Sequence, residues 1–319
     1  MRILFLFAIS ISGLFAAVDG VVVNGTSGKP QGAVVINLVQ PSAAGMQNLA
    51  TVKSGADGKF SIETRLSPGP VLVQATYQGV TYTLPITPGS PTTNLTVNVF
   101  DATTNPASGK IAQHIVVLEP TADALKVTET FLGQNETKQT YQDSAKGSIQ
   151  FYLPEAARDK AQVTIAAPGG MPITRPAEKT KIEGVYKASY PLKPGETRFD
   201  VGYTLPAGDT FAGKNVMPGT QLNLVTPSTA TLAGDGVEDK GQEPQTRAHI
   251  YATSTPSYEV KIAGTGSIND SAAPSGEDTG QDQPEVQPAR IYTRLYWVLG
   301  LTLGILALGG VALYRKGSA

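Results

Sequence analysis

The chain contains no cysteine among its 319 residues. That excludes disulfides, cysteine-bound metal or haem, thiol nucleophiles and the acylated cysteine of a lipoprotein. Histidine is nearly as scarce, with two residues, and tryptophan occurs once. The nucleophile-and-base pairings of covalent catalysis therefore have little to draw on. His-Glu-x-x-His and Gly-x-Ser-x-Gly are absent, and Gly25-Thr26-Ser27-Gly28-Lys29 is too short for a phosphate-binding loop. No enzyme, catalytic residue or cofactor is expected. Charged residues are only 16% of the chain and nearly cancel. Four of the 25 basic residues (Arg2, Arg294, Arg315 and Lys316) lie near the ends, leaving 21 against 26 acidic ones, about −5 net. No basic surface follows, so nucleic acid is not an expected partner.

What is present begins at the ends. Arg2 is followed by an apolar run, Ile3 to Phe15, and by the small residues Ala16 and Ala17. One positive charge, a short hydrophobic core and a small-residue exit make residues 1–17 a secretory signal peptide. The run of about 13 residues falls short of the roughly 20 that a bilayer requires. Leu295 to Tyr314 is, by contrast, an uncharged stretch of 20 residues. As a helix it would measure about 30 Å, the thickness of the hydrocarbon core. Tyr292, Tyr296 and Trp297 stand at one edge and Tyr314 at the other, where amphipathic rings favour the interface. Arg290 and Arg294 nearly balance Arg315 and Lys316, so the positive-inside count does not decide orientation. The signal peptide does: the N-terminal part is expected outside, periplasmic or extracellular, with residues 315–319 as a cytoplasmic tail.

Residues 18–100 read as short strands and turns. Val21–Val23 and Ala33–Val39 flank a turn at Gly25–Pro30, and Lys59–Thr64 alternates after Asp57-Gly58, a hairpin dipeptide. Val71–Tyr77 and Val80–Leu84 pair across Gln78-Gly79, and Leu95–Phe100 alternates again. A small seven-stranded antiparallel sandwich is the expected fold, with Phe60 and Ile62 inward and Lys59, Ser61 and Glu63 outward.

Several motifs here carry a family resemblance. They are Gly20-Val21-Val22, Gly28-Lys29-Pro30 with Gly32-Ala33-Val34-Val35, Asp57-Gly58-Lys59-Phe60-Ser61, and Pro68-Gly69 before Val71-Leu72-Val73. The stretch resembles the carboxypeptidase regulatory-like family, a transthyretin-type sandwich seen in many bacterial surface proteins. The resemblance covers about a quarter of the chain. It implies a fold and a bacterial envelope setting, not an activity. In that setting the Asn-x-Ser/Thr sequences at Asn24, Asn94, Asn135 and Asn269 are accidental; in a eukaryote they would be glycan acceptors.

Residues 101–263 are expected to form a second, larger immunoglobulin-like sandwich. Its candidate strands are 111–118, 124–131, 148–153, 162–166, 184–191, 197–205, 221–225, 247–253 and 258–263, with a helix signal confined to Glu155–Lys160. Phe199 and Val201 share one face, against Arg198, Asp200 and Gly202 on the other. His114 and His249 fall within apolar strands and read as strand residues. Pro168–Ile173 and Leu192–Phe199 are similar to strings in bacterial envelope proteins without an assigned activity.

Residues 264–290 are rich in Gly, Ser, Pro, Gln and acids and hold hardly any apolar side chains. Such a segment cannot bury enough surface to fold and is expected to be a disordered stalk. The only candidate metal ligands are Asp235, Glu238 and Asp239, three acids in a Gly-rich loop that suit Ca²⁺ as hard oxygen donors but lack EF-hand spacing. A solvated loop is the alternative. The expected function is a non-catalytic, membrane-anchored envelope protein that displays sandwich domains to a protein or glycan partner. The alternative is an accessory or assembly subunit of a membrane complex, with Gly300-x-x-x-Gly304 as a helix-packing face.

Overall fold

A computed structural model describes residues 16–42, 45–64, 66–168, 170–217 and 219–268. The expected signal core, most of the stalk, the C-terminal helix and the tail lie outside these residues. Among the described residues no helix is long and apolar enough to cross a membrane.

The chain is mainly β. Its N-terminal part holds β1 (Ala16–Asn24), β2 (Lys29–Pro30), β3 (Val35–Ser42), β4 (Gly45–Lys53), β5 (Lys59–Thr64), β6 (Val71–Tyr77), β7 (Val80–Ile86) and β8 (Leu95–Val99). That is eight strands where seven were expected. β1 pairs antiparallel with β5 and β2 and parallel with β8, and the second sheet runs β4-β3-β6-β7. The parallel pair corrects the expectation of a wholly antiparallel domain. Both sheets close on one apolar core that includes Val22, Ile36, Phe60, Ile62, Val73 and Val97.

β5 alternates as expected: Phe60 and Ile62 are buried, while Lys59, Ser61 and Glu63 are exposed. Asp57-Gly58 forms a turn but not a hairpin. Gly58 N–H donates to the Gly55 carbonyl, and Asp57 Oδ1 accepts from Lys59 N–H. The turn joins β4 of one sheet to β5 of the other, because β5 finds its partner in β1. The true two-residue hairpin is Gln78-Gly79. Tyr77 faces Val80, and both turn residues have positive φ (47° and 78°), the backbone of a type I′ turn.

The C-terminal part begins with β9 (Ala102–Thr103), β10 (Lys110–Pro120), β11 (Ala124–Asn135), β12 (Thr140–Tyr141), β13 (Ile149–Tyr152), β14 (Gln162–Ala166), β15 (Ile173–Pro176) and β16 (Glu178–Lys179). It continues with β17 (Val185–Ala188), β18 (Gly195–Pro206), β19 (Thr210–Lys214), β20 (Leu222–Thr226), β21 (Ala230–Ala233), β22 (Val237–Gln242), β23 (His249–Thr253) and β24 (Ser257–Gly264). The helix signal at Glu155–Lys160 is a single 3-10 turn, Glu155–Ala157. Pro154 precedes it, and Asp159 leaves the helical region with φ 66°.

One sheet of eight strands, β15-β14-β18-β11-β10-β20-β23-β22, crosses this whole region. It is wider than the sheets of an immunoglobulin domain. β10 and β20 form its seam, a parallel pair from His114 opposite Leu222 to Val117 opposite Val225. Two three-stranded sheets, β13-β17-β16 and β19-β24-β21, contribute Phe151, Tyr186, Phe211 and Val260 to the same core as Val116, Phe131, Phe199 and Leu224 of the wide sheet. Phe199 and Val201 point into that core.

β24 does not release the chain at Gly264. Gly266 N–H donates to the Pro120 carbonyl, and Ile268 N–H and the Ser267 hydroxyl donate to Glu119 Oε1. The boundary expected at residue 264 therefore moves to at least Ile268, because these polar groups find partners on β10.

Candidate functional site

Three adjacent strands bring a polar cluster under the wide sheet. On β10 the inward row includes His114, Val116 and Leu118; on β11 it is Leu125, Val127, Glu129 and Phe131; on β18 it is Thr197, Phe199, Val201 and Tyr203. Side chains alternate along each strand, so Glu129 occupies a core position by phase. Its Oε1 accepts from the Tyr203 hydroxyl at 2.7 Å, and its Oε2 lies 3.2 Å from His114 Nε2. His114, Glu129 and Tyr203 are 3%, 5% and 7% exposed. The His114 ring stacks on Phe131 at 4.0 Å, and its Nδ1 is buried without a partner.

Nε2 is thus the ring nitrogen of His114 that faces Glu129, and the Tyr203 hydroxyl donates to the other oxygen of the same carboxylate. Burial, followed by the Glu129 charge, holds the Tyr203 and Tyr258 phenols well above the usual tyrosine value. Tyr258 also lines a surface cleft of about 300 Å³ with Tyr152, Lys214 and Glu259. The Lys214 ammonium sits 4.8 Å from the centre of the Tyr152 ring, within cation–π range. The hydroxyl of Tyr203 is already spent on Glu129, and the cluster ties together the three adjacent strands β10, β11 and β18.

The other residues expected from the sequence are dispersed. His249 lies on β23 with its Nε2 against Gln242 Nε2, far along the wide sheet from β11. Asp235 stands in an exposed turn, whereas Glu238 and Asp239 are successive residues of the edge strand β22. Successive strand residues face opposite ways. Glu238 pairs with Lys240 at 2.7 Å, and Asp239 Oδ1 accepts from Gly241 N–H. The expected Gly-rich loop is thus largely a strand, and among the described residues no group of His, Cys, Asp or Glu is placed to hold a metal.

Asn24 and Asn135 are 4% and 2% exposed. Both are spent on turns, their Oδ1 atoms accepting from Thr26 N–H and Thr137 N–H. Asn94 is exposed, and Asn269 lies outside the described residues. Glu129 and Tyr203 escaped the sequence reading as site residues, yet a signal was there: an acid in the apolar phase of an alternating strand.

No family model matches the chain, and no curated protein matches it. Solved structures that resemble it include the M1 zinc metallopeptidase from Deinococcus radiodurans, at 11% identity and a TM-score of 0.23, over 48% of this chain and 42% of that one. The chain thus spans less than half the length of that peptidase. The shaft pilin SpaA from Lactobacillus rhamnosus GG is similar at 10% identity and a TM-score of 0.24, over 65% of this chain and 90% of the pilin. Likeness at this level carries no argument about function. The sandwich architecture rests on the strand pairing described above.

Proposed function

We propose that this chain is an exported, membrane-anchored envelope protein that displays two β-sandwich domains to a protein or glycan partner without catalysing a reaction. The N-terminal domain is read as a carboxypeptidase regulatory-like module. The uncharged stretch Leu295–Tyr314, long enough to span a bilayer, carries this reading. It is supported by the layout of residues 1–17 and by the absence of cysteine, which leaves core burial as the source of stability. A chain ended after Ile268, with residues 1–17 retained, should leave the membrane fraction and appear as a soluble folded protein. A truncated product that still sediments with membranes overturns the single-anchor reading.

The Gly300-x-x-x-Gly304 spacing favours a second reading, in which the span packs against another helix of a membrane complex. Exchange of Leu295–Tyr314 for an unrelated apolar span separates the two: display survives it, and a complex-embedded role does not.

A further inference from the structure

We propose that the two β domains are carried as one rigid body and that Asn24 is the residue that fastens them. The inference stands apart from where the chain resides. The segment that joins the domains is short, Phe100 to Thr103, and its polar groups are taken up from both sides. From the C-terminal domain, β12 pairs in parallel with β9; Thr140 N–H donates to the Asp101 carbonyl and Gln142 N–H to the Thr103 carbonyl. From the N-terminal domain, Gln78 Oε1 accepts Ala102 N–H at 2.7 Å, and Thr26 Oγ1 accepts Asp101 N–H at 2.9 Å. The Thr26 hydroxyl in turn donates to the Lys138 carbonyl, so one side chain bridges the linker and the far domain. The Tyr82 hydroxyl, donor to the Phe100 carbonyl, also lies 2.8 Å from Thr140 Oγ1, and that threonine is fully buried.

Asn24 organises this set. Its Oδ1 accepts from Thr26 N–H and Ser27 N–H and shapes the turn that presents Thr26. Its Nδ2 donates to Asp101 Oδ1 at 2.8 Å and to Gln31 Oε1 at 3.1 Å. The Tyr77 hydroxyl donates to the same Asp101 oxygen at 3.0 Å. The turn also requires close approach, since a Cβ on Gly25 would come within 2.2 Å of the Phe100 ring. A buried asparagine that holds the joining segment through Asp101 and shapes the turn from which Thr26 reaches Lys138 leaves the two domains little freedom to move apart.

Asn24→Asp isolates the fastening. It keeps the acceptor that shapes the turn, removes the donor, and sets a second carboxylate against Asp101, where like charges repel. Because the chain has no cysteine, nitroxide labels go only where Lys59→Cys and Lys126→Cys place them, one exposed site per domain. In the full chain, pulsed dipolar spectroscopy should give one narrow inter-label distance. Asn24→Asp should broaden it at least twofold and raise the rate of proteolysis at Asp101–Asn105 about tenfold, with each domain's circular dichroism retained. Gln78→Asn, which tolerates the positive φ but shortens the reach to Ala102, should broaden the distance less. Should Asn24→Asp fail to fold, Gln78→Asn carries the test alone. A broad distribution in the parent, or a distribution unchanged in both variants, overturns the proposal.

Discussion

The two domains solve the same problem with different cores. The N-terminal core is apolar throughout, from Val18 to Val99, and its buried polar residues, such as Asn24 and Ser54, serve turns and backbone at the margin. The C-terminal core surrounds Glu129 with His114 and Tyr203. The difference follows from the sheets. In the smaller domain each strand has few competing partners, and the apolar alternation alone fixes register, because a one-residue slip would turn Phe60 and Ile62 to solvent. The wide sheet places three strands of 11 or 12 residues side by side. Sliding one of them by two residues would keep apolar side chains inward at little hydrophobic cost. It would also strand Glu129 without donors, which is costly for a buried carboxylate. The polar cluster therefore specifies what hydrophobicity leaves open.

This contrast can be broken most forcefully in the smaller domain. Phe60→Ala should cost about 3–5 kcal/mol, the range for removing a core aromatic, and approach unfolding of that domain. Lys59→Ala, one residue away on the wet face, should leave the midpoint of a denaturant melt unchanged. Equal, small losses would show that the facing of β5 is wrong. In the larger domain Tyr203→Phe keeps the ring and removes one of the two donors to Glu129. A loss of about 1–3 kcal/mol is expected in denaturant melts. A neutral outcome would mean that the cluster does not hold register.

The smallest effect sharpens the same point. The Tyr203 and Tyr258 phenols are held above the ordinary tyrosine value of 10.0. Their ionisation therefore takes nothing from stability below about pH 10, and stability is lost as pH rises past that value, where the unfolded chain ionises and the folded one does not. Tyr203→Phe should make this alkaline loss shallower, measured as the slope of melting midpoint against pH between about 9.5 and 11. An unchanged slope would show that Tyr203 is open to solvent.

How much of this could be read in the sequence depended on whether a strand has a dry face. β5, β11 and β18 each bury one side, and their alternation located them. β4 and β22 are edge strands with exposed or half-exposed residues throughout, so no period marks them. β4 carries no alternation to announce it, and the acids of β22 read in the sequence as a Gly-rich loop. Local chemistry identified the turn at Asp57-Gly58 but not that it links two sheets, because the partner of β5 lies some 40 residues earlier, in β1. The phase of Glu129 was legible. Its meeting with Tyr203, 74 residues away, required the pairing of β11 with β18.

The central claim, that both domains stand outside the membrane while the last residues stay within, is tested most directly by a membrane-impermeant amine reagent. It is applied to cells stripped of any outer barrier but with the inner membrane intact. Lys59 and Lys126 are exposed on the two domains, and Lys316 follows the apolar span. The account predicts that Lys59 and Lys126 are modified before lysis and Lys316 only after it. Protection of Lys59 and Lys126 until lysis, or modification of Lys316 together with them in intact cells, would contradict it.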